Sequence, residues 1–377
     1  MRLLHVVPTY LPATRYGGPI YAVHGLCRAL AARGHDVDVF TTNVDGASES
    51  DVPLDAAVMM GGVSVRYFRS TLRRLYVSPS MRNALRTAIP TYDAIHLHSV
   101  FLWPTYVAAR IAAAAGVPYV ISPRGMLVPE LIRKKSSLAK SAWIAMVEKR
   151  NFRESSGIHF TAQREWDDAR RLSIPLPHPF VVPNGIDPLP PRPTARRNDT
   201  LLVLGRISWK KGIDRLLDAM TMLPSVNAVI AGNDEEELTP RLRAQAERNG
   251  VGDRVEFRGP VSGDAKDDLL RTATALVLPS LSENFGNVVL EAMAAELPVI
   301  VTPEVGLAGD VTSAGAGIVT SGDPEPLAAA IRTLLDDGAT RAAMGKRGRE
   351  LVNARFTWER VASRMEEHYE RIAAERR

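Results

Sequence analysis

The sequence lacks several features that would each indicate a particular class of protein. It has one cysteine in 377 residues, which excludes a disulfide framework. No apolar run approaches the roughly 18 residues that a membrane-spanning helix needs. The dinucleotide-binding pattern G-x-G-x-x-G is absent from the first strand-to-helix loop. What remains, 45% apolar and 24% charged residues, is typical of a globular protein long enough for two domains.

The single cysteine is predicted to be a core residue. Cys27 falls with Val23, Leu26 and Leu30 on one face of a predicted helix, which is the pattern of packing and not of a nucleophile. The first apolar run ends at Pro8 and is too short for a signal peptide. The sequence therefore predicts a cytoplasmic protein.

Positive charge is concentrated in two segments of the N-terminal half. The whole chain carries +5, but residues 66–86 hold six arginines without an acid, and residues 124–153 hold eight lysines or arginines against two glutamates. Each segment is thus at +6, which predicts a surface that meets an anionic partner. Apolar residues interrupt both segments and favour an anionic membrane over nucleic acid. These residues are Tyr67, Phe68, Leu72, Leu75, Tyr76, Trp143, Ile144 and Met146.

The N-terminal half alternates strand and helix patterns in the manner of a parallel α/β sheet. Gly17 and Gly18 precede the first helix, where backbone without a Cβ can approach a ligand. The predicted strands are 3–7, 37–41, 92–100 and 117–122, and the first helix is 20–33.

Two residues at strand ends are candidates for a functional site, because ligands of α/β sheets bind beyond the carboxyl ends of the strands. His98 shares a strand face with His96. This pair suggests zinc, but no third ligand follows at metal spacing, so no metal is predicted. A hydrogen-bonded structural histidine remains the alternative. Arg124 follows the strand 117–122 and cannot accept a proton, so we expect it to hold charge or orient groups.

The segment 174–193 holds eight prolines and predicts a stiff linker with one short strand, 180–182. Asn184 and Gly185 after that strand are interpreted as a turn. Beyond the linker the strand and helix alternation returns. The predicted domains are 1–180 and 198–355, joined by a linker at 181–197, and the strands of the second are 201–204, 228–231, 255–257, 275–278 and 299–301.

The loop after strand 275–278 predicts an anion site at the start of a helix. Amides at a helix N-terminus have no partner within the helix and sit at its positive end. Here they belong to Phe285, Gly286, Asn287 and Val288. Glu283 and Glu291 flank this phosphate site, and their carboxylates suit the hydroxyls of a nucleotide sugar. The alternative is that Glu283 and Asn284 only cap the helix.

A second loop, 205–212, follows the first strand of this domain. Arg206 and Lys211 flank it and can neutralise a diphosphate, Arg206 as a fork and Lys211 as a point charge. A solvated basic loop is the other interpretation of this segment alone.

These motifs resemble the signatures of retaining glycosyltransferases of family 4. Glu283 and Glu291 match E-x7-E, residues 205–212 match G-R-x4-K-G, and residues 183–187 match P-N-G-I-D. The resemblance implies the GT-B fold, in which two Rossmann-like domains face a cleft and a last helix, here within 356–377, crosses back to the first domain.

The resemblance also assigns roles to individual residues. Glu283 would lie by the donor sugar and Glu291 would hold the ribose hydroxyls. Gly17 and Gly18 would face the donor diphosphate, and Val261 would lie in the loop that passes the nucleobase. Many relatives have a histidine at the position of Arg124, near the acceptor, so a proton-accepting role is not expected of this position here.

The resemblance implies transfer of a sugar from a nucleoside-diphosphate sugar to a hydroxyl acceptor with retention and without a metal or other cofactor. A lipid-linked or polysaccharide intermediate of the cell envelope is the expected acceptor, with the enzyme at the inner face of the plasma membrane. Four alternatives stay open: a sugar-nucleotide epimerase, a glycogen-type phosphorylase, a nucleic-acid-binding protein and an inactive nucleotide-sugar sensor. The phosphorylase would need a much longer chain.

Overall fold

The structure is a computed structural model that describes residues 1–15, 17–129, 132, 143, 147–189 and 199–375. The chain forms two compact units. The first consists of Met1–Gly185 with Trp358–Arg377, and the second of Ile186–Thr357. The last helix therefore belongs to the first unit, although it follows the second unit in the chain.

A parallel sheet of eight strands forms the centre of the first unit. The strands of this sheet are β1 (Arg2–Thr9), β2 (Asp36–Thr42), β5 (Ala57–Met60), β6 (Val63–Phe68), β7 (Ala94–His98), β8 (Tyr119–Ser122), β9 (Gly157–Phe160) and β10 (Pro179–Val181). Two short strands, β3 (Val44–Asp45) and β4 (Ser48–Glu49), form a separate antiparallel hairpin. The sheet order is β10-β9-β8-β7-β1-β2-β6-β5, and only β5 runs antiparallel to its neighbour.

The central strands of this sheet are apolar because both of their faces are covered. In β1, Leu4 and Val6 belong to one buried cluster, whereas Leu3 and Val7 belong to another on the opposite face. The described helices of this unit that precede the linker are α1 (Gly18–Ala32), α2 (Pro79–Ala88), α3 (Trp103–Ala115), α4 (Lys149–Arg153) and α5 (Gln163–Arg170). Cys27 of α1 is fully buried in the second cluster, as predicted.

A parallel sheet of six strands forms the centre of the second unit. Its strands are β11 (Thr200–Leu204), β12 (Asn227–Ala231), β13 (Val255–Gly259), β14 (Ala275–Leu278), β15 (Val299–Val301) and β16 (Gly317–Val319), in the order β13-β12-β11-β14-β15-β16. Its described helices are α6 (Ile213–Ala219), α7 (Thr239–Arg248), α8 (Gly263–Thr272), α9 (Asn287–Ala294), α10 (Ala308–Ala314), α11 (Pro324–Asp336) and α12 (Gly338–Arg355). The last helix of the chain, α13 (Trp358–Ala374), packs in the first unit.

The predicted α/β class with parallel sheets is confirmed. The predicted strands all overlap observed ones, and 275–278 and 299–301 coincide with β14 and β15, whereas the predictions 92–100 and 117–122 are longer than β7 and β8. The sequence did not predict β3, β4, β5, β6, β9 or β16. Two of these, β9 and β16, contain glycine and are only four and three residues long, which is too short for an alternating pattern to stand out.

Part of the predicted linker, residues 190–197, lies outside the described residues. Among the residues that the structure does describe, none of the helices combines the length and the apolar character needed to cross a membrane.

Candidate functional site

Two loops of the second unit are fastened together at the carboxyl end of its sheet. The backbone N–H of Leu281, after β14, donates to the carbonyl of Lys210, after β11, at 2.7 Å. Gly212 has φ +61°, and a Cβ there would lie 2.2 Å from the carbonyl oxygen of Pro279. Only glycine allows this close approach. The contact therefore fixes the basic loop against the predicted phosphate loop.

The two loops bring Lys211 and Glu283 together. Lys211 Nζ donates to Glu283 Oε2, and the two side chains are only 15% and 21% exposed. The Glu283 backbone is itself fixed, because its N–H donates to Glu304 at 3.1 Å and its carbonyl accepts from Gly306 at 3.0 Å. A cation and a carboxylate thus stand side by side on rigid backbone at the start of α9.

The helix α9 begins at Asn287, after Gly286 in the left-handed conformation with φ +96°. No side chain caps this terminus, so the interpretation of Glu283 and Asn284 as capping residues is wrong for Glu283, whose carboxylate pairs with Lys211 instead. The backbone of Phe285, Gly286, Asn287 and Val288 lies at the positive end of the helix, where amides attract an anion. Phe285 itself is buried and packs on Phe356.

The second carboxylate, Glu291, has a partner that the sequence did not indicate. Lys266 of α8 donates to Glu291 Oε1 at 3.1 Å. Arg206, by contrast, is half exposed and forms an ion pair with Glu235 at 3.7 Å. Val261 lies partly exposed between β13 and α8. The structure therefore brings Lys211 to Glu283 beside the start of α9, whereas Glu291 and Arg206 form ion pairs with other residues.

In the first unit, His98 and Arg124 lie together at the carboxyl ends of β7 and β8. Arg124 Nη2 and Nε approach His98 Nδ1 at 3.2 and 3.4 Å, and Nη1 donates to Asn184 Oδ1 at 2.8 Å. The interpretation of Asn184 as a turn residue was incomplete, because its side chain holds the guanidinium. Arg124 has φ +53°, a strained conformation for a residue with a Cβ.

Four buried histidines adjoin Arg124, and chemistry fixes their tautomers. Because arginine has no acceptor, His98 Nδ1 accepts, and His98 Nε2–H donates to His5 Nδ1 at 3.0 Å. A second series of hydrogen bonds begins at His159, whose Nε2–H donates to the carbonyl of Val182 at 2.8 Å. His159 Nδ1 therefore accepts from His96 Nε2–H at 3.3 Å, and His96 Nδ1 accepts from the Tyr369 hydroxyl at 2.7 Å.

The assignment of His159 and His96 rests on both rings being neutral, which their burial favours. Burial first, and then the Arg124 charge, lowers the pKa of His5 to about 3 and of His98 well below its usual value. Burial is also the main cause that lowers the pKa of His96 and of His159. The sequence indicated no third ligand near His96 and His98, but the fold supplies one from another strand, because His5, His96 and His98 offer nitrogens within 4.8 Å of one another. The adjacent guanidinium and the hydrogen bonds that occupy His98 nevertheless make this cluster a poor cation site.

The glycine pair of the first unit stands at the start of α1. Gly17 has φ +67° and a Cβ added there would meet nothing within 4 Å. Gly18 is the first residue of the helix. The space beside Gly17 is open, as the predicted approach of backbone to a ligand requires.

Five residues of these sites were not predicted from the sequence: His5, His159, Glu165, Lys266 and Tyr369. His5 is a polar residue in an otherwise apolar strand, and β1 pairs it in register with His96, so that irregularity was a usable signal. Glu165 accepts from Gly125 N–H at 2.6 Å and from Thr161 N–H at 2.8 Å. Lys266 gave no signal, because its partner lies on another helix.

Comparison with known proteins agrees with the fold and the motifs. The model of the glycosyl transferases group 1 matches residues 191–351, and that of the glycosyl transferase 4-like domain matches residues 17–185. A D-inositol 3-phosphate glycosyltransferase of Xylanimonas cellulosilytica is 28% identical, over 98% of this chain and 95% of its own. A glycogen synthase of Mycobacterium tuberculosis is 29% identical, over 100% and 95%.

Solved structures share the whole architecture. Sucrose-phosphate synthase from Thermosynechococcus elongatus superimposes with a TM-score of 0.77 at 23% identity, covering 99% of each chain. HepE of Anabaena, in complex with UDP and glucose, gives 0.76 at 21% identity, covering 98% of this chain and 100% of its own. Two glycosyltransferase family models together match residues 17–185 and 191–351, and by these matches the chain belongs to the group 1 glycosyltransferases of family 4; the solved structures show that its fold is GT-B.

Proposed function

We propose that the protein transfers a sugar from a nucleoside-diphosphate sugar to a hydroxyl group, with retention of the anomeric configuration. The observation that carries this proposal is the Lys211–Glu283 pair beside the start of α9. It places a cation, a carboxylate and helix amides around one point. The HepE structure with UDP-glucose supports a donor of this class and makes UDP-glucose the first donor to test.

Each group of the second unit has a role in this proposal. The α9 amides and Lys211 bind the diphosphate, and Arg206 adds charge at the edge of the site. Glu283 contacts the donor sugar. Glu291 accepts hydrogen bonds from the ribose hydroxyls and is held for this by Lys266.

In the reaction the bond from the anomeric carbon to the diphosphate oxygen breaks. The acceptor oxygen forms its bond on the same face, and the acceptor proton passes to a diphosphate oxygen. Lys211 and the helix amides stabilise the charge that develops on the leaving group. Glu283 and Glu291 are both ion-paired with lysines, which supports a route without a covalent glycosyl intermediate and without a required metal.

The test is a panel of UDP-, GDP- and ADP-sugars, scored first by thermal shift, since a true donor stabilises by RT ln(1 + [L]/Kd). Turnover with the binding donor is then followed by NMR of the anomeric proton, and we expect the product to keep the donor's configuration. EDTA should leave the rate unchanged. An inverted product, or epimerised donor without acceptor, would contradict the proposal.

We also propose an acceptor held at an anionic membrane, such as a lipid-linked intermediate. Five of the six arginines of residues 66–86 are exposed, and Leu72 and Leu75 among them are 52% and 39% exposed. Tyr67 and Phe68 are buried, so their inclusion in this surface was wrong. Most of the other predicted patch, including Lys134, Lys135, Lys140, Ile144 and Met146, lies outside the described residues, and Trp143 packs on Tyr106.

Sedimentation with liposomes tests the membrane proposal. Binding should grow with the fraction of anionic lipid and fall with salt. Replacing Leu72 and Leu75 by serine and Arg73 and Arg74 by glutamine should weaken it, and Arg170→Gln, an exposed arginine outside the patch, is the matched control. A wild-type protein that stays in the supernatant at low salt would favour a soluble acceptor.

A further inference from the structure

The Arg124 guanidinium is a cation without a carboxylate partner. Its hydrogen bonds go to His98 Nδ1 and Asn184 Oδ1, both neutral acceptors. In the described part of the chain no carboxylate forms an ion pair with it. The acid that contributes most to its field, Glu165, already accepts from Gly125 N–H at 2.6 Å and from Thr161 N–H and Oγ1–H at 2.8 and 2.9 Å.

Apart from the Glu165 carboxylate, which is not in contact with it, no group named here brings negative charge to Arg124. The groups that face Arg124 from β1, β7, β9 and α13 are neutral imidazoles and the Tyr369 hydroxyl, whose pKa burial raises well above its usual value. Leaving a cation unpaired in such a place is costly, and its charge adds to burial in keeping the neighbouring histidines neutral. An arrangement of this kind is stabilised when an anion arrives from outside.

The geometry suits an anion that carries two oxygens. A guanidinium has five N–H donors, and the three interactions with His98 and Asn184 leave one on Nη1 and one on Nη2. Two such donors match the oxygens of a carboxylate or phosphate. Arg124 is partly exposed at the carboxyl ends of the strands, where ligands of parallel sheets bind. Its left-handed backbone is also a form of strain that clusters at functional sites.

We propose that Arg124 binds an oxyanion, a carboxylate or phosphate carried by one of the two sugar substrates. The proposal rests on the glycosyl transfer inferred above and adds to it that one substrate is acidic beyond the donor diphosphate. Arg124 is thus a specificity-determining residue, and His98 and Asn184 position it.

The decisive experiment uses inorganic phosphate as the probe and the full chain as the protein. Phosphate is titrated at constant ionic strength, with the second unit's site saturated by a nucleoside diphosphate that the donor panel has identified. Wild type should be stabilised, and Arg124→Gln should lose this response, with a roughly tenfold or greater rise in apparent Kd. Arg124→Lys should keep part of it, and Arg170→Gln all of it.

The melting temperature without phosphate separates anion binding by Arg124 from a purely structural role of this residue. In chloride buffer without phosphate, Arg124→Gln should melt at or above the wild-type temperature, because it removes an unpaired charge. Equal phosphate responses of wild type and Arg124→Gln would overturn the proposal, as would a clear loss of stability in chloride.

Two further arms identify the source of the oxyanion. If the donor sugar carries it, wild type should prefer UDP-glucuronate to UDP-glucose and Arg124→Gln should not. If the acceptor carries it, glucose 6-phosphate should stabilise the nucleotide-bound wild type more than glucose does. No preference in either arm would overturn its assignment to a sugar substrate. Absence of any nucleotide binding would instead contradict the proposed function, and the phosphate result would still stand.

Discussion

The two candidate sites differ in whether their buried or half-buried cations have carboxylate partners. In the second unit each conspicuous cation has a carboxylate, Lys211 with Glu283 and Lys266 with Glu291. In the first unit Arg124 has only neutral partners. A balanced pair must be opened or shared when a charged ligand binds, whereas an unpaired cation gains a partner. This difference accords with the two proposals above, in which the second site meets a charge that moves during the reaction and the first holds a fixed charge.

The largest effect that would sharpen this contrast is expected at Lys211. Lys211→Met removes the cation beside the leaving diphosphate and should lower kcat about 100- to 1,000-fold, the range for removing one preorganised donor. Lys210→Met, in the same loop, is the control. Steady-state kinetics check the prediction, and a rise in KM at unchanged kcat would contradict a role in the transition state.

The neutral histidines of the first unit should make the protein sensitive to acid. Their pKa values are lowered in the folded state from the usual 6.5 or so, to about 3 for His5, so the unfolded chain binds more protons below pH 6.5. The free energy of unfolding is therefore highest above pH 6.5 and falls toward pH 3, by up to about 1.4 kcal/mol per pH unit for each histidine.

Urea unfolding at pH 7 and pH 5 measures this effect. His5→Gln should flatten the pH dependence, and His178→Asn, an exposed histidine with φ +42°, should not. Wild-type stability that is equal at the two pH values would contradict the neutral network.

Adding one methyl group at Gly212 should disrupt the close contact between the two loops of the second unit. Gly212→Ala forces a Cβ against the Pro279 carbonyl at φ +61° and should lower the free energy of unfolding by about 2 kcal/mol or more, with loss of turnover. Gly250→Ala has a similar φ, +67°, with nothing within 4 Å, and should cost only about 1 kcal/mol. Equal losses in thermal or urea unfolding would show that the close contact is unimportant.

The smallest expected effect concerns Lys266. Lys266→Met leaves Glu291 without its cation and should weaken binding of the nucleoside diphosphate about tenfold, with less discrimination against the 2′-deoxy form. Lys266→Arg should keep both properties. Calorimetric titration measures both affinities, and unchanged discrimination in Lys266→Met would contradict the positioning of Glu291.

Periodicity and loop chemistry were enough for the α/β class and for locating the two loops of the second unit that hold Lys211 and Glu283. The apolar strands β11 and β14 and the glycines after them marked two loops, and parallel strands place such loops at one edge of a sheet. Glu283 and Lys211 could be named for that reason. Their direct pairing could not, since it depends on the approach of Gly212 to Pro279.

Sequence by itself determined most of the longer elements, because strand and helix periods and turn residues act over a few neighbouring positions. Tertiary structure alone decided which charges are balanced. His5 and His98 are 93 positions apart, and Arg124 and Asn184 are 60 apart. Such partners meet only when the sheet order is set, so a polar residue such as His5 in an apolar strand can be noticed in the sequence, but its partners and the unpaired state of Arg124 cannot. The electrostatic character of a site is a property of packing, since burial and the distance to each charge set both its cost and its partners.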